Sequence, residues 1–179
     1  MIDEPLIVCV DVDYRGSTAV AGGLWFRGWS AGAAELEEVA LCHDIAEYQP
    51  GEFYRREMPC LLKVLAQGPQ PSVVVVDGYV SLGDGRPGLG AHLFEALGEK
   101  TPVVGVAKTR FHSATEAVPV CRGTSRAPLY VTAAGIEASV AADWIAGMHG
   151  PYRVPTVLKR VDQLVRTSKV DDVIGERPA

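Results

Sequence analysis

The stretch "PSVVVVDGYVSLGDGRPGLGAHL", residues 71–93, decides the fold. Val73 to Val76 are β-branched and uninterrupted by polar residues. That pattern predicts a strand buried on both faces, as central parallel strands are. Asp77 follows where such a strand leaves the sheet, and a glycine-laden loop leads from it into a helical pattern over 88–98. In open α/β sheets, ligands bind outside the carboxyl ends of strands. Asp77 and the loop behind it are therefore the first candidate functional elements.

Working outward, "PLIVCVDVDY" (5–14), "TAVAGGLWF" (18–26) and "AELEEVALCHD" (34–44) read as three strands joined by short turns, an antiparallel meander. Pro59 suits the first turn of a helix, so the next helix is placed from near Glu57 to Gly68, with Leu61, Leu62 and Leu65 as its inward stripe. "PVVGVAK" (102–108) is a second buried strand and "PLYVTAA" (128–134) a shorter one. Helices are expected over 135–150 and 156–169, and a frayed tail from about 170. The order βββ-α-β-α-β-β-α-α predicts one α/β domain over residues 1–179, a mixed central sheet flanked by helices.

The 179 residues are enough for one sizeable core and too few for two. No run is long enough to span a membrane, and no signal-peptide pattern opens the sequence. Four cysteines (Cys9, Cys42, Cys60, Cys121) form no CxxC pair and lie in or beside apolar segments. They read as buried free thiols, which makes the expected location cytoplasmic. A net charge of −5 argues against a nucleic-acid coat protein but leaves room for an enzyme with a basic groove around an acidic centre.

Asp11, Asp77 and Lys108 each end an apolar strand, and Glu57 opens a helix that must pack on the same sheet. Taken singly they are a turn or cap aspartate, a dipole-favoured glutamate and a solvated lysine. Taken together they place ionisable groups at one sheet edge. Carboxylates in such a cluster repel one another unless a cation sits between them. Hard oxygen donors with open positions suit Mg²⁺ (or Mn²⁺), which can assist phosphodiester hydrolysis. Asp11, Glu57 and Asp77 are the candidate metal ligands, and Lys108 the candidate phosphate contact.

"CVDVDY", "YQPGEFYRREMPCLL", "VVVVDG" and "TPVVGVAKTRF" occur in the order and approximate spacing of the endonuclease V family, which the chain resembles from about Leu6 to Arg166. The resemblance implies an RNase H-like fold and a metal-dependent endonuclease. Such an enzyme hydrolyses a phosphodiester bond 3′ to a deaminated (inosine) or distorted base, leaving a 5′-phosphate. It implies a catalytic set of Asp11, Glu57, Asp77 and Lys108, with Asp162 where the family's last helix carries an acidic residue or histidine. It also implies substrate contacts at Tyr48 (a wedge filling the gap left by a flipped base), Pro50, Gly51, Gly78, Arg86 and His92. The expected partner is DNA or RNA, single-stranded or with a flipped base; the expected state is a monomer with no membrane.

The match departs in the loop after Asp77. Val80 stands for the family's second glycine, Gly83-Asp84-Gly85 for its His-Pro-Arg, and Glu47 for the proline before Tyr48. Val80 restricts backbone angles that glycine permits, and Asp84 brings a negative charge. Two rival readings follow. One is a non-catalytic nucleic-acid-binding relative, using Lys159, Arg160, Arg166 and Lys169 of the last helix. The other is a haloacid-dehalogenase-type phosphatase built on Asp11, Asp13 and "LGDGRPG", whose lysine falls on the wrong side of that loop.

Overall fold

The computed structural model describes residues 3–43 and 45–169, so the tail expected from about 170 lies outside the described residues. Three strands, β1 (Leu6–Arg15), β2 (Thr18–Arg27) and β3 (Leu36–Cys42), form the expected antiparallel meander. Helix α1 (Tyr54–Leu65) leads to β4 (Val73–Asp77), α2 (Leu89–Ala96) and β5 (Val103–Ala107). The chain continues through β6 (Val118–Val120), β7 (Leu129–Ala134), α3 (Ala138–Ala146) and α4 (Thr156–Thr167). The sheet order is β3-β2-β1-β4-β5-β7-β6, with β1, β4 and β5 parallel and the remaining pairs antiparallel.

The valine run is central, as its composition requires. Val73 and Val75 face a core closed by α3 and α4, together with Ile7, Cys9, Val104 and Val106. Val74 and Val76 face the opposite core under α1 and α2, with Val8, Val10, Leu61 and Leu93. Burying each such side chain stabilises the fold by roughly 1.5–3 kcal/mol before chain entropy is counted. The result is three layers, with the sheet between two pairs of helices.

Helix α1 differs from its sequence reading. It starts at Tyr54, three residues before the expected Glu57, and carries Pro59 inside it. Pro59 lies on the exposed side, so the missing hydrogen bond leaves only the carbonyl of Arg55, itself exposed, to water. The buried stripe is Cys60, Leu61 and Val64, whereas Leu62 stays 37% exposed. This stripe extends back to Glu57 at helical spacing, and so turns that carboxylate toward the sheet.

Two further corrections concern the second half. Strand β6 was not expected, because "VPV" reads as a loop; it is an edge strand, the one place in a sheet that tolerates proline. Cys9, Cys42 and Cys60 are buried free thiols, but Cys121 is exposed: Val120 of the edge strand β6 turns into the core under α3, and Cys121, the next residue, points away from it.

Candidate active site

Strand alternation assembles the centre. Ile7 and Cys9 face the α3/α4 layer, and two residues on so does Asp11; Val73 and Val75 lead likewise to Asp77, and Val104 and Val106 to Lys108. Register brings them level, because Val10 is opposite Val76 and Asp77 is opposite Val106. Asp11 was expected to end its strand but lies midway along β1, which runs on to Arg15. Asp77 closes β4 and Lys108 follows β5, so the three sit close to level on one face of adjacent parallel strands. Glu57 arrives from α1 and Asp162 from α4. All five line one open cleft of about 330 Å³, together with Asp13, Tyr14 and Phe53. Asp11, Glu57 and Asp77 also share a small cavity of about 10 Å³, room for about one water.

The charges in this cleft disturb one another. Burial, and then repulsion from Asp77 and Asp162, pushes Asp11 up to about 6, against the Val12 N–H that donates to it at 2.9 Å and the nearby Lys108. Burial, followed by repulsion from Asp11 and Asp77, pushes Glu57 up to about 8. Tyr14, whose buried hydroxyl finds no partner of good hydrogen-bonding geometry, is pushed up by burial and by the adjacent Glu57. Burial works against the Lys108 ammonium, but Asp77, Asp11 and Asp162 outweigh it and raise the group. Lys108 donates to Asp77 at 3.0 Å.

Two arginines that the sequence did not single out hold the frame. Arg15, at the end of β1, donates to the carbonyls of Ser168 (2.5 Å), Val165 (2.6 Å) and Arg166 (3.1 Å). It thereby closes the C-terminal end of α4, where unpaired carbonyls and the helix dipole favour a cation. It also pairs with Asp13 at 3.0 Å. Arg153 donates to the carbonyls of Lys108 and Pro128, pinning the exit of β5. An arginine immediately after an apolar strand was the available signal for Arg15; Arg153 had none. Arg56 lies 4.4 Å from the centre of the Tyr14 ring.

The remaining candidates lie around the cleft rather than in its lining. Tyr48 is 60% exposed and meets Phe53 edge-on at 6.2 Å; Phe53 meets Tyr14 at 6.1 Å, a ladder of rings running down toward Glu57. Pro50 and Gly51 make the turn between them, with Gly51 in the left-handed region at φ 80°. Gly78 follows Asp77 at φ 131°, a conformation reserved for glycine. Arg86 binds Ser113 at 2.8 Å, and His92 stacks on Tyr54 at 3.6 Å. Val80 does not strain its loop: among the described residues only Asp84 and Glu99 are non-glycines with positive φ. Its N–H donates to Thr132 Oγ1 at 2.8 Å in a buried contact.

The rival constellations fare differently. Asp11 and Asp13 both line the cleft, but Asp84 sits at the exposed tip of its loop, outside that lining, so the phosphatase reading loses the aspartate of its Gly-Asp-Gly loop. On the last helix, Arg160 is paired with Glu37 and Arg166 with Asp162.

Among the described residues, no three His, Cys, Asp or Glu side chains are gathered closely enough to hold a metal ion as they stand. The chemistry of the donor set nevertheless fits a hard divalent cation. Asp11 and Glu57 offer only oxygens and are held toward their neutral forms by burial and like charge, both of which a cation would offset.

A mixed sheet of this order, with Asp11 midway along β1 and Asp77 closing the adjacent β4, is that of the RNase H-like fold. Within it, the endonuclease V family model matches residues 2–142, and this chain belongs to that family. The endonuclease V of Rhodospirillum centenum is 32% identical over 157 residues; the match spans 74% of this chain and 65% of that relative's length. The crystal structure of endonuclease V from Streptomyces avermitilis is similar at a TM-score of 0.75 and 24% identity, covering 93% of this chain and 85% of that one. Ciona intestinalis endonuclease V (D234N), in complex with a 23mer DNA containing an inosine followed by a ribo-adenosine, is similar at 0.74 and 16%, covering 91% and 84%. No helix among the described residues is long and apolar enough to cross a membrane.

Proposed function

We propose that the chain is a Mg²⁺- or Mn²⁺-dependent endonuclease acting on DNA or RNA beside a deaminated or distorted base. The observation that carries this reading is the convergence of Asp11, Asp77 and Lys108 from three parallel strands, with Glu57 and Asp162 brought in by helices from opposite layers. Asp11, Glu57 and Asp77 would hold the cation, which supplies positive charge to the scissile phosphate. Lys108, kept charged by its carboxylate neighbours, would hold a phosphate oxygen. Asp162, across the cleft on α4, is the carboxylate to take the proton of the attacking water. The new P–O bond forms as the bond to O3′ breaks, leaving a 5′-phosphate and a 3′-hydroxyl. Tyr48, at the outer end of its ring ladder, offers an aromatic face to fill the gap left by an extruded base. The relatives bound to inosine-containing DNA support that substrate class.

A second reading, a binder without catalysis, draws on two ion pairs. Lys108 already neutralises Asp77, and Arg166 neutralises Asp162. Cleavage of labelled single strands, DNA and RNA, with and without one inosine and in either metal, separates the two. The nuclease reading expects cutting that Asp77→Ala abolishes. Strands bound yet uncut in both metals would overturn it in favour of the binder.

A further inference from the structure

The loop after β4 and the segment after β5 are stitched into one unit. The Tyr79 hydroxyl donates to the Thr109 carbonyl at 2.7 Å and accepts from the Phe111 N–H at 3.0 Å. Arg86 donates to Ser113 at 2.8 Å, and Gly83 lies so close to the Ser113 carbonyl that a Cβ would sit 1.6 Å from its oxygen. This bracing fixes the Phe111 backbone and leaves its ring 39% exposed. The Arg86 guanidinium stands 5.8 Å from the Phe111 ring centre, and the Tyr79 ring lies 6.1 Å away at a tilt of 53°. The unit is rooted beside the reactive edge, since Tyr79 is two residues beyond Asp77, Phe111 is three beyond Lys108, and those two are ion-paired.

We propose that Phe111, with Arg86 beside it, is a stacking shelf for a nucleobase of a single strand passing the scissile position, an inference that rests on the nuclease reading. Phe53 lines the cleft on the α1 side and carries Tyr48 outside it, whereas Phe111 follows three residues after Lys108, on the segment that leaves β5. A ring plus a guanidinium accepts any base, because every base has a π-face. The net charge of −5 gives stacking added weight, since this chain has little general attraction for phosphate. Tyr79 is a positioning residue that acts through Phe111.

The test is binding of a fluorescein-labelled single strand, as DNA and as RNA, followed by anisotropy in EDTA so that the strand stays whole. A second strand carries 2-aminopurine, whose fluorescence falls on stacking. Phe111→Ala is expected to weaken binding about 5- to 150-fold for both strands and to restore the 2-aminopurine signal. Phe111→Trp keeps both readouts near the parent, and Tyr79→Phe gives an intermediate loss. Phe111→Leu, which keeps an apolar side chain without a π-face, is expected to bind as weakly as the alanine variant and carries the test if that variant fails to fold. Parent-like binding by the leucine variant, or a loss confined to one kind of strand, would overturn the shelf alone. A parent protein that binds no strand would overturn the nucleic-acid reading beneath it.

Discussion

Glu57→Gln should stabilise the metal-free protein at alkaline pH while abolishing any metal-dependent activity. The folded protein raises Glu57 from its ordinary value of 4.5 to about 8, first through burial and then through Asp11 and Asp77. A raised carboxyl binds its proton more tightly in the folded state than in the unfolded one. Below 4.5 both states are protonated and nothing is lost. As pH climbs from 4.5 to about 8, the unfolded chain ionises freely and the folded one does so at a cost, so stability falls through that window. At about 1.4 kcal/mol per pH unit the ceiling is ~5 kcal/mol, and water reaching the half-buried carboxyl reduces it to ~2 kcal/mol. Glutamine keeps the shape and removes the ionisation. Thermal unfolding in EDTA should therefore give similar Tm values for parent and variant at pH 5, and a variant about 4–8 °C higher at pH 8.5. Added Mn²⁺ should raise the parent more than the variant, because the cation offsets the cost that glutamine has already removed. A Tm difference that stays flat between pH 5 and 8.5 would refute the electrostatic reasoning.

Arg15→Ala strips three carbonyls at the end of α4 of their donor, and is expected to cost about 1–3 kcal/mol in urea unfolding and to lower kcat by loosening Asp162. An unchanged kcat would detach α4 from the chemistry. Gly105→Ala puts a Cβ 2.6 Å from the Gly78 carbonyl and 2.9 Å from the Val80 nitrogen, both backbone atoms that cannot swing away. It should destabilise by about 2 kcal/mol and disturb Asp77, measured as a fall in Tm together with weaker Mn²⁺ binding. Of the four thiols, Cys121 alone should react rapidly with a thiol reagent in the native protein, and the other three only on unfolding, as counted by mass.

How much of this was legible in the sequence depends on which forces set each part. The valine run and the charges that follow apolar runs obey short-range alternation, so the grouping of Asp11, Asp77 and Lys108 could be read directly, although not that β1 runs on past Asp11 to Arg15. Glu57 was named, but its orientation depends on helix phase. Leu62 and Leu65 looked as inward as Leu61, and only packing against the sheet selects Cys60, Leu61 and Val64. The fate of Asp162 was open for the same reason: it lies between Val161 and Leu164, and its direction follows from the burial of Val157, Val161 and Val165 against the sheet, while Arg15, 150 residues away, holds the end of the helix. Strand β6 escaped because its proline is tolerated only at an edge, and edges are a property of the whole sheet. The altered loop gave a mixed message. Val80 looked like a restriction, yet it takes an ordinary backbone conformation and packs on Gly90.

The central claim is that carboxylates from β1, β4 and α1 form one cation site. Calorimetric titration of Mn²⁺ into the parent, Asp11→Asn, Asp77→Asn and Ser125→Ala proteins tests it most directly. The account predicts saturable binding to the parent and to Ser125→Ala, and at least a tenfold loss in each of the two aspartate variants. Equal Mn²⁺ affinity in all four proteins, or none in the parent, would contradict it.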